Sequence, residues 1–99
     1  MRAWRSSSRS RRVSIRDSIV SGNQNSGIAS NDTTAGVTVR TSISNTLVAN
    51  NAFGILATGV GQTTTINNNT VTGNNRGLFG GGTMLSFGNN FVSLNIASD

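Results

Sequence analysis

The side chains that most often perform acid–base chemistry are scarce in this sequence. It contains no His, no Glu and no Cys, and its only carboxylates are those of Asp17, Asp32 and Asp99. Glycoside hydrolysis needs two carboxylates about 5 to 9 Å apart, and only Asp17 and Asp32 are candidates for such a pair. A Ser–His triad requires a His. The sequence therefore predicts no catalytic residue, no cofactor-binding residue, no metal ligand and no cofactor, and a protein that is not an enzyme.

The basic side chains are all arginines, and most lie at the start of the chain. Five of the eight fall within residues 1–12, whereas the remaining three are balanced by three Asp. Together with Trp4, this segment is a candidate arm for nucleic acid or another anionic surface. We favour a disordered basic tail over residues 1–12, or an upstream stretch translated from a wrong start site, and expect no nucleic-acid partner. A third possibility is that Trp4 covers the end of the first structural unit.

An internal repeat determines where the remaining residues lie. Four nine-residue stretches can be superimposed, at residues 15–23, 43–51, 66–74 and 87–95, and we call them the first to fourth repeats. Each begins with a large apolar residue, carries Val at its sixth position and ends in Asn. Their starts lie 28, 23 and 21 residues apart. A period of this length is typical of solenoid proteins.

The pattern within each repeat is that of short β-strands. Apolar and polar residues alternate around the first residue of each repeat, which is the period of a strand. A second apolar position follows at the Val, and a third follows a glycine in Gly27-Ile28, Gly54-Ile55 and Gly77-Leu78. Asn and Gly separate these points, and both tolerate the positive φ of sharp corners. The sequence therefore predicts parallel β-helix coils over residues 13–36, 37–59, 60–82 and, in part, 83–99.

Stacked coils place equivalent residues about 4.8 Å apart, so each repeat position becomes a ladder. The predicted apolar ladder consists of Val20, Val48, Val71 and Val92. The predicted polar ladder consists of Ser18, Thr46, Asn69 and Asn90. Asp17 has Asn45, Asn68 and Asn89 as its equivalents, so we interpret it as a turn residue. Arg40 and Arg76 fall at different repeat positions, which argues against an arginine-based lyase site.

The spacing between repeats varies at one corner, within residues 29–36, 57–62 and 80–82. Insertions at a single corner of a solenoid often form a binding face. Neutral drift in a surface loop explains the same variation, and we favour that interpretation.

The third repeat, Ile-Asn-Asn-Asn-Thr-Val-Thr-Gly-Asn at residues 66–74, resembles the right-handed parallel β-helix repeat of the pectate-lyase-like superfamily. Residues 80–90, Gly-Gly-Gly-Thr-Met-Leu-Ser-Phe-Gly-Asn-Asn, are similar to the last coil of many bacterial members. The resemblance covers about residues 13–95. It implies an all-β, right-handed parallel β-helix of about four coils with three short strands each, forming the C-terminal part of a longer protein. It implies no single activity, because the superfamily includes lyases, hydrolases, tailspikes and adhesins.

The function expected from these observations is that of a non-catalytic scaffold or carbohydrate-facing surface segment of a bacterial secreted or cell-surface protein. The alternative is a truncated remnant of a polysaccharide lyase or hydrolase whose catalytic coils lie upstream. The expected partners are a polysaccharide, further coils, or a second copy at the exposed coil ends. No apolar run approaches the roughly 18 residues that cross a bilayer. No signal peptide is visible, and an extracellular location is expected from the resemblance alone.

Overall fold

The computed structural model describes residues 9–31, 37–59 and 61–99, and this part of the chain contains β-strands and no helix. The strands are β1 Arg9–Arg16, β2 Ile19–Ser21, β3 Ser26–Asn31, β4 Val37–Ser44, β5 Leu47–Ala49, β6 Phe53–Thr58, β7 Gln62–Asn67, β8 Thr70–Thr72, β9 Arg76–Phe79, β10 Thr83–Ser86 and β11 Phe91–Ser93. Of the features named above, residues 1–8 with Trp4, and Asp32, lie outside the described residues.

The strands form three sheets, and every pairing between named strands is parallel. Sheet A has the order β1-β4-β7-β10, sheet B the order β2-β5-β8-β11, and sheet C the order β3-β6-β9. Each strand therefore pairs with its equivalent from the next repeat rather than with its neighbour in sequence. The fold is all-β with parallel sheets, an arrangement consistent with a β-solenoid.

The predicted apolar ladder is confirmed in sheet B. Val20 lies opposite Val48, Val48 opposite Val71, and Val71 opposite Val92. In sheet A, Ile43 lies between Ile15 and Ile66. These ladders, with Ile28 and Ile55 from sheet C, form the hydrophobic core. Val48, Val71 and Ile43 are fully buried, because their strands have a neighbour on both sides.

The fourth repeat departs from the predicted alignment. Phe87 was expected opposite Ile66, but the residue in that position is Ser86, and Leu85 lies opposite Thr65. Strand β10 is thus displaced by one residue relative to the repeat. The extra residue is taken up in the following turn, where Gly88 has a φ of 85° and replaces Asn89 as the left-handed residue. Phe87 is consequently 66% exposed.

Strand β1 begins at Arg9, so residues 9–12 lie in a strand rather than ahead of the first coil. Arg12 lies opposite Arg40, which places these two like charges next to each other along sheet A. Both side chains are exposed, so water screens their repulsion.

The corners use the predicted residue types with one exception. The turn after β1, β4 and β7 has positive φ at Asp17, Asn45 and Asn68, respectively. The next corner has positive φ at Gly22, Asn50, Gly73 and Leu94. Leu94 has a branched side chain that disfavours this region. It is 75% exposed, so packing does not compensate for the strain.

Candidate functional site

The two described carboxylates both accept hydrogen bonds from asparagine amides. Asp17 Oδ1 accepts from Asn45 Nδ2 at 2.6 Å in an exposed turn. Asp99 Oδ1 accepts from the backbone N and the Nδ2 of Asn95, at 3.2 and 3.0 Å. Each carboxylate thus lies at the end of a row of asparagine amides, and its hydrogen bonds stabilise a turn. Among the described residues, no group of three His, Cys, Asp or Glu side chains lies close enough together to hold a metal ion.

The row that ends at Asp99 is a continuous asparagine ladder through all four repeats. It consists of the last residue of each repeat, Asn23, Asn51, Asn74 and Asn95. In each step the backbone N and the Nδ2 of one Asn donate to the Oδ1 of the next, at 2.8 to 3.1 Å. Asn74 is completely buried and Asn51 nearly so. The ladder therefore satisfies buried amides at the corner between sheets B and C.

A column of glycines makes room for this ladder. Gly27, Gly54 and Gly77 each precede an inward-facing residue of sheet C. A Cβ added at Gly54 would lie 3.0 Å from Asn74 Nδ2 and 2.6 Å from Gly77 O. Equivalent close contacts to Asn51 and Asn95 surround Gly27 and Gly77. The repeated Gly is therefore a packing requirement of the ladder.

The polar ladder predicted at the other corner is present in its asparagine part. Asn69 donates through its backbone N and Nδ2 to Asn90 Oδ1, at 2.8 and 3.1 Å, and Thr46 N donates to Asn69 Oδ1 at 3.0 Å. The hydroxyls of Thr46 and Ser18 instead donate to the carbonyl two residues earlier. In both ladders the Oδ1 of an Asn accepts from the equivalent residue of the preceding repeat, and this pairing fixes the register between repeats.

The arginines predicted to lie apart do lie in different sheets, Arg40 in β4 of sheet A and Arg76 in β9 of sheet C. Arg76 is the more distinctive, because it is part of an aromatic cluster. Its Cζ lies 4.9 Å from the ring centroid of Phe79, and the rings of Phe79 and Phe53 are 5.2 Å apart with a tilt of 34°. This distance between guanidinium and ring is that of a cation–π contact.

We call Phe53, Arg76 and Phe79 the aromatic–arginine cluster. Strands β6 and β9 position it, because Phe53 lies directly opposite Arg76 and Phe79 lies opposite Leu56. Phe79 is 41% exposed, and Phe53 and Arg76 are half-buried. The cluster therefore offers a partly exposed aromatic ring with a cation held over it. The exposed part of the ring can pack against the C–H groups of a ring-shaped ligand while the guanidinium donates to the oxygens of that ligand.

Sequence reasoning missed both the long asparagine ladder and this cluster. The ladder had a signal, since Asn is the last residue of all four repeats. The sequence signal for the cluster was weaker: Phe53 and Arg76 each stand two residues after the ladder Asn of their repeat. The sequence held no signal for the position of the Phe79 ring, since that position depends on contacts in three dimensions.

No protein family, no curated protein and no solved structure matches the chain. The likeness to the pectate-lyase-like superfamily therefore rests on the repeat residues themselves. Within the described ranges, no helix has the length and apolar character needed to cross a membrane.

Proposed function

We propose that the chain is a non-catalytic, right-handed parallel β-helix segment of about four coils from a bacterial secreted or cell-surface protein. In this proposal it is a scaffold that presents a carbohydrate-facing surface. The parallel pairing of equivalent strands supports a β-helix. The repeat motif, which resembles that of the pectate-lyase-like superfamily, supports the right-handed form and the proposed class of protein. The use of Asp17 and Asp99 as acceptors for turn amides supports a structural role for the carboxylates.

The aromatic–arginine cluster on sheet C is the observation that carries the carbohydrate-facing role. Pyranose rings have apolar C–H groups that pack on an aromatic ring, which here would be the partly exposed ring of Phe79. Arg76 has several N–H donors and no acceptor, so it suits the hydroxyl or carboxylate oxygens of a sugar. Its contact with Phe79 orders the guanidinium before a ligand arrives, which lowers the entropic cost of binding.

The proposed binding is tested by titrating the purified chain with soluble neutral and acidic polysaccharides in a calorimeter. We expect Phe79→Ala to lower the affinity at least tenfold. Phe91→Ala is the matched control, because Phe91 is similarly exposed at 51% but lies on sheet B. Arg76→Gln should weaken the binding of acidic glycans more than the binding of neutral ones. Equal losses from Phe79→Ala and Phe91→Ala, or no binding of any glycan by the unmodified chain, would contradict the carbohydrate-facing role.

The non-catalytic part is tested by incubating the chain with pectin, pectate and related glycans, with and without calcium. We expect no new reducing ends and no unsaturated products. Cleavage that is reproducible and is lost on Asp17→Ala or Asp32→Ala would overturn this part of the proposal.

A further inference from the structure

Strand β10 is out of step with the repeat to which it belongs. Its register places Ser86 opposite Ile66, although Phe87 is the residue equivalent to Ile66 in the sequence. Met84 therefore faces the core, half-buried, while Leu85 is 51% and Phe87 66% exposed. The two larger apolar side chains of this segment lie outside, and a serine occupies the position of an isoleucine.

The mismatch is confined to a few residues. In the third repeat, Asn69 follows the inward-facing Ile66 by three positions, whereas Asn90 follows Ser86 by four. Beyond this point the repeats agree again. Asn69 N donates to Asn90 Oδ1, and Asn90 Nδ2 donates to Ile66 O at 3.0 Å. One extra residue is thus held between Ser86 and Asn90.

A cavity that is open to the surface lies beside the inward face of β10. Its volume is about 510 Å³, and its walls include Ile66, Leu78, Met84, Ser86 and the glycines at 80–82. Met84 and Ser86 thus leave apolar space unfilled next to the core. Close packing of this space would stabilise the fold.

We propose that β10 has a second register, displaced by one residue, in which Leu85 lies opposite Thr64 and Phe87 opposite Ile66. Because side chains alternate along a strand, this displacement turns Leu85 and Phe87 inward and Met84 and Ser86 outward. The two larger apolar side chains then fill the cavity. The distance from Phe87 to Asn90 becomes three positions, as in the other repeats, so Asn90 and β11 keep their places.

The residue removed from the turn is transferred to the connection formed by residues 80–82. Three glycines make this connection adaptable, and a Cβ at Gly81 would meet no atom of the described ranges within 4 Å. The displacement breaks the hydrogen bond from Gly82 N to Ala57 O, which is 3.0 Å long. It also breaks the two hydrogen bonds that Ser86 Oγ accepts from Gly88 N and Asn90 Nδ2, at 3.1 and 2.9 Å. These losses oppose the gain from burying Leu85 and Phe87, so both registers are accessible in this proposal.

The two registers give the cavity a regulatory property. An apolar molecule in the cavity binds only the register in which the cavity is open. Such a molecule therefore shifts the population toward that register and exposes Leu85 and Phe87.

Disulfide trapping distinguishes the registers, and the chain has no Cys of its own. The pair Thr65→Cys with Leu85→Cys is directly opposed in the described register, and the pair Thr65→Cys with Ser86→Cys only in the second. Thr65→Cys with Ser42→Cys is the positive control, because these residues are opposed in sheet A. Thr65→Cys with Thr83→Cys, opposed in neither register, measures the background.

In a glutathione buffer we expect the Leu85 pair and the Ser86 pair each to form a disulfide much faster than the background pair does. A Ser86 pair that crosslinks no faster than the Thr83 pair would overturn the proposal. The hydrophobic dye ANS provides a second readout. It should bind the oxidised Thr65→Cys/Leu85→Cys variant at least several-fold more strongly than the oxidised Thr65→Cys/Ser86→Cys variant. Equal dye binding would contradict the filling of the cavity.

Nuclear Overhauser contacts in the unmodified chain avoid any dependence on the folding of the variants. Two exchanging sets of backbone contacts are expected, one with Thr65 opposite Leu85 and one with Thr65 opposite Ser86. A single set with Thr65 opposite Leu85, unchanged with temperature, would rule out the second register.

Discussion

Asn51 and Asn74 lie one above the other in adjacent repeats, and both the backbone N and the Nδ2 of Asn51 donate to Asn74 Oδ1, at 2.9 and 3.0 Å. Asn74 Nδ2 in turn donates to Val48 O, Thr72 O and Asn95 Oδ1. This completely buried side chain therefore has five hydrogen-bond partners, and its two N–H hydrogens are shared among three acceptors. This residue links three repeats and two strands, so its removal is the most direct test of the ladder.

Asn74→Ala should lower the free energy of unfolding by about 3 to 5 kcal/mol, because several buried polar partners lose their hydrogen bonds at once. Asn75→Ala is the matched control, since Asn75 is exposed and adjacent. It should change the stability by less than about 0.5 kcal/mol. Urea unfolding followed by circular dichroism measures both. Similar losses in the two variants would show that the ladder does not stabilise the fold.

Gly54→Ala should destabilise the fold by about 2 to 3 kcal/mol through overpacking. The new Cβ would approach Gly77 O to 2.6 Å and Val71 Cγ1 to 2.9 Å, and the backbone oxygen cannot move away without breaking sheet C. Gly81→Ala serves as the control, because its Cβ would meet no atom within 4 Å in the part of the chain that the structure describes. It should be neutral or stabilising by up to about 1 kcal/mol. Thermal melts that rank the two variants in the opposite order would refute the packing role of the glycine column.

Thr64→Val should raise the stability by about 1 kcal/mol, because the Oγ1 of this buried residue has no hydrogen-bond partner among the described residues. The same change at Thr46 should lower it by a similar amount. Thr46 is also buried, but its Oγ1 donates to Ser44 O at 2.9 Å. Melting temperatures compared with that of the unmodified chain should therefore move in opposite directions. A lower melting temperature for Thr64→Val would mean that its hydroxyl has a partner in solution.

Val71→Asp should abolish cooperative unfolding, because it places an unpaired charge in the centre of the valine ladder. Thr70→Asp, one residue earlier and on the outward side of β8, is expected to cost about 1 kcal/mol or less. The far-ultraviolet circular dichroism of Val71→Asp should lose its β-type minimum. Retention of that spectrum together with a sharp melt would show that Val71 does not face the core.

The sequence predicted the parallel strands, the valine ladder and the Asn69–Asn90 contact because each depends on a residue type that recurs at a fixed position. Asp17 was assigned to a turn on the same grounds, and its positive φ of 53° agrees with that assignment. Strand β10 was predicted in the wrong register for an equally specific reason. Met84 and Leu85 are adjacent, so alternation alone allows either of them to face the core.

By itself, therefore, the sequence determined the period of the chain, the residues at its corners and the apolar ladders, since these follow from local conformational preference and alternation. Only the tertiary structure decided which asparagines are buried, where the fourth repeat changes register and how the Phe79 ring meets Phe53 and Arg76. Apart from the contact of Arg76 with Phe79 within β9, these features arise from contacts between strands about 20 or more residues apart in the chain. Such contacts depend on how side chains fill the space between sheets, which no single repeat encodes.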